Sequence, residues 1–581
     1  MTPTATPATP EIPDLAPAPG NTLFGSDIIA ETLRALDLPF IALTPGASFR
    51  GLHDSLVNHL GNTEPQMLLC LHEETAVSLA QGWAKVTGRP MAVAVHSNVG
   101  LLHATMAIFN AWCDRVPMLV IGATGPVDAA KRRPWIDWIH TAQDQNALVR
   151  NYVKWDAQPA SVDAAREALL RAVWLTRTAP RAPVCVTLDA ALQEAPLDAP
   201  PAPFDPARFL PEAAPDAAPA AIARAAAMLR AAARPVILMG RVGRDQAAWD
   251  RRVALAEALG AGVGTSLKCA AAFPTDHPLH RGTPATFPGP ELTAALAAAD
   301  VVLSLDWVDL AGTLAAAGPL PPAAKIIHVS ADHGLHNGWS MDHQGLPPVD
   351  LLLPTEPDRA IPALLEALGI AARPAPRPPA APPHPVPAGT ITVGGLAHGL
   401  RAAVVGRDVA LLHLPLGWNG ADWPLRHPLD YLGGDGGAGI GAGPGIAVGA
   451  ALALIGAGRL PMAVLGDGDF LMGATALWTA AHYDIPLLVV IANNRSYYND
   501  ELHQERMARM RNRPVGNKWI GQRMSDPEID LAAIARAQGA HAWGPVTDGA
   551  ALPGVLAEAI AVVAAGGLAF VDVHVQPGYA A

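Results

Sequence analysis

Cysteine is scarce in this 581-residue chain: Cys70, Cys113, Cys185 and Cys269 are all it has. They are scattered, three of them in apolar runs, which excludes a disulfide framework and suits core thiols of a reduced, cytoplasmic protein. Basic charge is also short. Forty Lys and Arg stand against 52 Asp and Glu, a net charge of −12, so no basic stripe is available for a nucleic-acid partner. The first 20 residues lack both a basic start and an apolar core. A disordered tail is expected there, not a signal peptide. Charge is missing altogether from Gly436 to Gly458, 23 residues, which is long enough to span a bilayer. Glycines crowd that run, Pro444 interrupts it, and only Tyr431 lies near as an aromatic anchor. A buried glycine-rich turn entering a helix is expected instead, and no membrane contact.

What is abundant is apolar surface. Half the residues are hydrophobic and 16% are charged, so a chain of this length can build about three dry cores. Short apolar runs alternate with helical patterns along most of it. Phe40–Leu43, Met67–Leu71, Met91–Val95, Met118–Gly122 and Val184–Leu188 read as strands of a first block, residues 21–195. Residues 196–215, rich in Pro and Ala, read as a linker. A second block, 216–370, has strands near Pro235–Met239, Val301–Ser304 and Lys325–Val329. Eight prolines in residues 371–388 predict a stiff, extended connector. The third block, 389–581, ends on the strand Ala569–Val575. Strand–helix alternation of this kind predicts an α/β fold with three doubly wound parallel-sheet domains.

In the third block, Pro461-Met-Ala-Val-Leu-Gly-Asp-Gly-Asp-Phe470 and Ile485-Pro-Leu-Leu-Val-Val-Ile-Ala-Asn-Asn-Arg-Ser496 each read as an apolar strand ending in oxygen-bearing side chains. Carboxyl ends of neighbouring parallel strands are where such sheets bind ligands. Asp467, the Asn494 amide and the Ser496 carbonyl offer hard oxygen donors that suit Mg²⁺ or Ca²⁺ better than zinc. Mg²⁺ usually bridges one or two side chains to phosphate oxygens, so a Mg²⁺–diphosphate anchor is expected. An EF-hand beginning at Asp467 fails, because its twelfth position is Trp478 where a bidentate Glu is required.

Gly466-Asp467-Gly468, followed 27 residues after Asp467 by Asn494 in an Asn-Asn pair, resembles the thiamine diphosphate motif of 2-oxo acid decarboxylases and acetolactate synthases. Three α/β blocks joined by Pro-rich linkers also resemble that family's order of pyrimidine-binding, middle and pyrophosphate-binding domains. The resemblance implies thiamine diphosphate and Mg²⁺ as cofactors, with Gly466, Asp467, Gly468, Asp469, Asn494 and Ser496 around the diphosphate. It implies a homo-oligomer, a dimer or dimer of dimers, with the active site between subunits. The substrate implied is a small 2-oxo acid, and in carboligation an acceptor aldehyde or ketone as well. A C–C lyase or hydrolase acting on a diketone would use the same cofactor, and a catalytically silent thiamine diphosphate-binding protein is the non-enzymatic alternative.

Further residues follow from the same likeness. Met67 to Ala84 resembles the family's strand–His-Glu–helix segment, so Glu73 maps to the acid that hydrogen-bonds the aminopyrimidine, while Glu74 suits the helix dipole. Thr44-Pro-Gly-Ala-Ser48 resembles the Pro-Gly loop beside the substrate, placing Gly46 at the cofactor and leaving Ser48 as a pocket hydroxyl or a helix cap. His96 matches the active-site His of benzoylformate decarboxylase-like enzymes and could relay protons. His103, seven residues later, reads as structural. The loop Lys131 to Asp144 is rich in Trp and charge. Its Gln143-Asp144 resembles the Gln-Glu of acetolactate synthases, with His140 beside it; an inter-subunit contact anchored by the Trp pair competes equally. The lack of an adjacent His-His pair separates the chain from pyruvate and indolepyruvate decarboxylases. Ile440 and Gly441 fall in the glycine-rich turn where the family holds the cofactor bent over an aliphatic wedge. Asp469 departs from the small or neutral residue usual in relatives, and a cap reaching Gly473 is expected of it. His503 and Gln504 fall in the segment that covers the site in relatives. FAD in the middle domain is not supported by the sequence beyond a weak phosphate contact at Gly240-Arg-Val-Gly243.

Overall fold

The computed structural model describes residues 11–15, 22–199, 201–211, 215–334, 345–375 and 381–578. Most of the expected tail therefore lies outside the described residues. Its described part is anchored: Glu11 accepts hydrogen bonds from Tyr483 Oη and, through its backbone carbonyl, from Asn62.

Three parallel sheets follow one another along the chain. The first has six strands in the order Gln66–Leu69, Phe40–Leu43, Met91–Val95, Met118–Thr124, Pro183–Asp189 and Asp156–Ala157. The second orders Gly262–Thr265, Pro235–Met239, Val301–Leu305, Lys325–Val329 and Leu351–Leu353. The third orders Val409–His413, Leu460–Gly466, Leu487–Asn493, Leu568–His574 and His541–Val546. All neighbours within these sheets are parallel. Central strands such as Met91–Val95 and Leu487–Asn493 are buried along their whole length, as sheets covered by helices on both faces require.

The segment after residue 195 is less free than a linker. Pro196–Leu197 pairs antiparallel with Leu23–Phe24, and Trp174 Nε1 donates to the Pro211 carbonyl, so this stretch is fastened back onto the first domain. The uncharged run after Gly436 becomes a turn and a fully buried helix, Gly443–Ala453. Among the described residues no helix is long and apolar enough to cross a membrane.

Two features join the first and third domains. The helix Glu73–Thr87 lies against Gly443–Ala453, and glycines permit the approach: a Cβ on Gly82 would sit 2.0 Å from the Ile446 carbonyl oxygen, and one on Gly449 1.8 Å from that of Leu79. The second is at the open edge of the first sheet. Leu69 N donates to Tyr483 Oη at 2.8 Å, and the Leu69 carbonyl accepts from Thr479 Oγ1 at 3.0 Å. Side chains of the third domain thus satisfy backbone groups of the edge strand that leads into Glu73, each bond contributing about 1 kcal/mol.

Candidate active site

The third-domain half of the site forms where two parallel strands stop together. Gly466 pairs with Ala492 in register, so Asp467, the first residue of the next helix, faces the turn Asn493-Asn494-Arg495-Ser496. That turn is held by its own side chains: Asn493 Oδ1 accepts from Arg495 N at 3.1 Å, and Asn494 Oδ1 from Ser496 N at 3.0 Å. Asn493 Nδ2 donates to Asp572 at 2.9 Å, and Ser496 Oγ to Glu501 at 2.7 Å. Asp467 is 5% exposed. Its Oδ1 accepts from Gly468 N at 2.9 Å, while Oδ2 is buried with no partner. Burial pushes the Asp467 carboxyl up to about 6, against the pull of the Gly468, Arg495 and Ser496 N–H groups. A small cavity lined by Asp467, Leu471, Asn493, Arg495 and Leu531 lies alongside.

Asp469 corrects an expectation. Its Oδ1 accepts from Gly441 N at 2.6 Å and Gly443 N at 3.3 Å, so it caps the preceding Gly443–Ala453 helix and not the following one through Gly473. Gly473 faces the Gly441 carbonyl oxygen, which a Cβ there would meet at 2.4 Å. Ile440, in the same turn, is 40% exposed. Glu74, from the first domain, is held above its ordinary range by burial and then by the charge of Asp469.

The first-domain half gathers around two strand ends. Glu73 opens its helix, 8% exposed, after His72, whose Nδ1 accepts from Glu74 N at 3.1 Å. Its Oε2 lies 3.2 Å from His103 Nδ1, and a Cβ on Gly100 would lie 3.2 Å from its Oε1. His96 stands at the N-terminal boundary of the next helix, Ser97–Cys113, and its side chain makes no capping bond there. Its Nδ1 is 2.9 Å from Ser48 Oγ, which also accepts from Ser97 N at 3.1 Å. Gly46 packs on His96, where a Cβ would come within 2.2 Å of the His96 Cβ; its visible role is to make room for that ring. The His96 and His140 rings meet edge to face with centroids 4.6 Å apart, and His140 Nδ1 is buried without a partner. Burial, then the neighbouring His140, lowers the His96 pKa, which favours the neutral imidazole.

Gln143 does not join this group. It is exposed and is not hydrogen-bonded to His96, His140 or Glu73; the buried glutamine of the loop is Gln145, whose Nε2 donates to the Ala123 carbonyl. The adjacent Asp144 forms an ion pair with Arg150. His503 and Gln504 are exposed on the helix Tyr498–Met510. Ser48 and His103 are placed against His96 and Glu73, contacts that sequence reasoning did not name. The seven-residue spacing from His96 to His103, two helical turns, was the signal available for the second.

In the middle domain, Gly243 N donates to Asp358, and Arg241 is paired with Asp306 and Asp332. The candidate phosphate turn is therefore occupied by carboxylates of its own domain.

A parallel sheet whose strand ends carry a buried, half-satisfied carboxylate beside an Asn-Asn turn, linked to a second sheet presenting a glutamate and two histidines, defines a cofactor-dependent α/β enzyme. Comparison with known proteins gives the family. Residues 24–148 match the N-terminal TPP binding domain of thiamine pyrophosphate enzymes, 222–337 the central domain, and 417–573 the C-terminal TPP binding domain. The chain belongs to the thiamine pyrophosphate enzyme family, within its group of 2-oxo acid decarboxylases and acetolactate synthases. It is 29% identical to benzoylformate decarboxylase of Pseudomonas aeruginosa over 447 residues, 74% of this chain and 79% of that protein. It is 25% identical to the large subunit of acetolactate synthase isozyme 1 of Escherichia coli over 495 residues, 81% and 82% of the two chains. Among solved structures it shares its fold with the thiamine diphosphate-dependent 4-hydroxybenzoylformate decarboxylase of Rhodococcus jostii (TM-score 0.74, 22% identity, 96% of this chain and 100% of that one). Benzoylformate decarboxylase of Polynucleobacter necessarius has the same fold (TM-score 0.76, 18% identity, 96% and 99%).

Proposed function

We propose that this enzyme uses thiamine diphosphate and Mg²⁺ to decarboxylate a small 2-oxo acid without oxidation, and to pass the resulting fragment to a proton or to an acceptor aldehyde or ketone. The observation that carries the reading is the unpartnered, buried Oδ2 of Asp467 beside the Asn494–Ser496 turn. An oxygen-only donor set with one open valence suits a hard cation, and a cation there would be shared with phosphate oxygens. Asp467, Asn494 and the Ser496 carbonyl would hold Mg²⁺ and through it the diphosphate, with Gly466 leaving room at the strand end and Gly468 making way for the Tyr497 ring. When bound, the thiazolium supplies a carbon nucleophile and an electron sink for the pair released by departing CO₂.

The chain's own residues do the rest. Glu73, in a nearly dry position, would hold a proton against a ring nitrogen of the aminopyrimidine. Ile440 would stand against the cofactor, and Gly441, held by Asp469, sets the place of that side chain. His96, kept neutral and oriented by Ser48, stands with His140 where a substrate carbonyl or its product would exchange a proton.

Glu73 and Asp467 belong to different domains, and both halves are bordered by exposed apolar side chains: Leu71, Val99 and Leu102 by Glu73, Ile440 and Met472 by the cofactor turn. This supports a homodimer in which the first domain of one subunit faces the third domain of another. The test is a panel of aliphatic and aromatic 2-oxo acids, with CO₂ release and products measured with and without Mg²⁺ and thiamine diphosphate. Cofactor-dependent CO₂ release from at least one member is expected; its absence across the panel contradicts the reading.

A further inference from the structure

Glu73 has one carboxylate oxygen to offer a cofactor only if something fixes the other. The groups around it are few. Oε1 borders Gly100, where the missing Cβ leaves space for the carboxylate, and Oε2 lies 3.2 Å from His103 Nδ1. Gly100 and His103 sit on one face of the helix Ser97–Cys113, one turn apart. His103 is itself held. Its ring stacks on His72 with centroids 5.2 Å apart and planes 5° from parallel, and His72 is fixed in turn by the bond from Glu74 N. His103 is 54% exposed, yet its Nδ1 edge faces the buried acid. Nothing in packing demands an imidazole at so open a position, and a long aliphatic side chain would fill the same groove.

The geometry assigns His103 as a positioning residue for Glu73: its Nδ1–H donates to Oε2, locking the rotamer that presents the other oxygen to the aminopyrimidine, with His72 as the stacked support. This rests on Glu73 being the activating acid. A charge-assisted bond of this kind fixes the place of the carboxylate. Losing it leaves Glu73 free to swing, which costs orientation rather than substrate binding.

Asn is the informative replacement, because its Nδ2 can stand where His Nδ1 stands, whereas Leu keeps bulk without a donor. In the Mg²⁺-loaded holoenzyme, His103→Leu is expected to lower kcat by about 10- to 100-fold with KM for the 2-oxo acid nearly unchanged, the range for losing a hydrogen bond to a charged group. It should also weaken thiamine diphosphate binding, measured by calorimetric titration of the apoprotein. His103→Asn should recover most of both losses. In the apoprotein, ¹⁵N NMR of labelled histidine should show the Nδ1–H tautomer at His103, and Glu73→Ala should remove it. Wild-type kcat and cofactor affinity in His103→Leu, or equal damage in His103→Asn and His103→Leu, would overturn the assignment; the second result would mean the ring acts only through packing. Full activity in Glu73→Gln would instead strike the reading on which this rests, so the two failures are told apart.

Discussion

The middle and third domains share one architecture, a five-stranded parallel sheet, and treat their strand ends in opposite ways. In the middle domain, Arg241 follows one strand and pairs with Asp306 and Asp332, which follow two others; Asp332 also pairs with Arg115 of the first domain. Arg241 and these two carboxylates have counter-charges, and the crevice serves as a joint between domains. In the third domain, Asp467 and Asp469 are both buried and each keeps one oxygen without a partner. A buried carboxylate oxygen left unpaired costs free energy, so its retention marks a place where something else is meant to bind. The same fold thus holds two unlike crevices, and the difference is whether the strand-end carboxylates already have cationic partners.

The comparison can be broken first through its partner half. Glu73→Gln should lower turnover by roughly 10²- to 10⁴-fold, the range for a general acid–base group, while Mg²⁺-dependent cofactor binding persists. Equal loss of binding and turnover would mean that Glu73 belongs to the anchor. Arg241→Met should act on stability alone: removing one member of a largely buried ion cluster costs about 3 kcal/mol, read by urea unfolding, with cofactor affinity unchanged. A change in cofactor affinity there would show that the middle crevice is not merely a joint.

Acidity sharpens the contrast at Asp467. Because burial lifts its pKa to about 6, a proton occupies the required oxygen below that pH. Mg²⁺ affinity should be flat above pH 6 and fall by up to about tenfold per unit below it. In the metal-free chain the sign reverses. A folded pKa above the ordinary 3.8 means the unfolded state binds fewer protons between the two values, so Asp467 favours folding at low pH and that contribution is lost as pH rises to about 6. The smallest effect is expected at Asp469, where replacement by Ala removes a helix cap worth about 1 kcal/mol and loosens the turn bearing Ile440.

The fold was legible where strands are central. Met91–Val95 and Leu487–Asn493 are uninterrupted apolar runs because both sheet faces are covered. Two edge strands were not: His541–Val546 contains Gly and Pro and is half exposed, and Asp156–Ala157 spans two residues. The Asp467–Asn494 pair was legible because both members directly follow such buried strands. Loop position does not determine which of two nearby glutamines turns inward within the single chain, and the inward one is Gln145. Asp469 was assigned the wrong helix because the glycine turn that returns to it lies 26 and 28 residues earlier in the chain. His103 read as structural, with no partner named for it, because Glu73 is 30 residues away.

The central claim is that the open valence of Asp467 anchors the cofactor through a divalent cation. The direct measurement is calorimetric titration of thiamine diphosphate into metal-free wild type and Asp467→Asn, each with and without Mg²⁺ at pH 7.5. Wild type should bind tightly only with Mg²⁺, and Asp467→Asn should lose that Mg²⁺ dependence while keeping its fold. Equal Mg²⁺-dependent affinity in the two proteins would contradict the account.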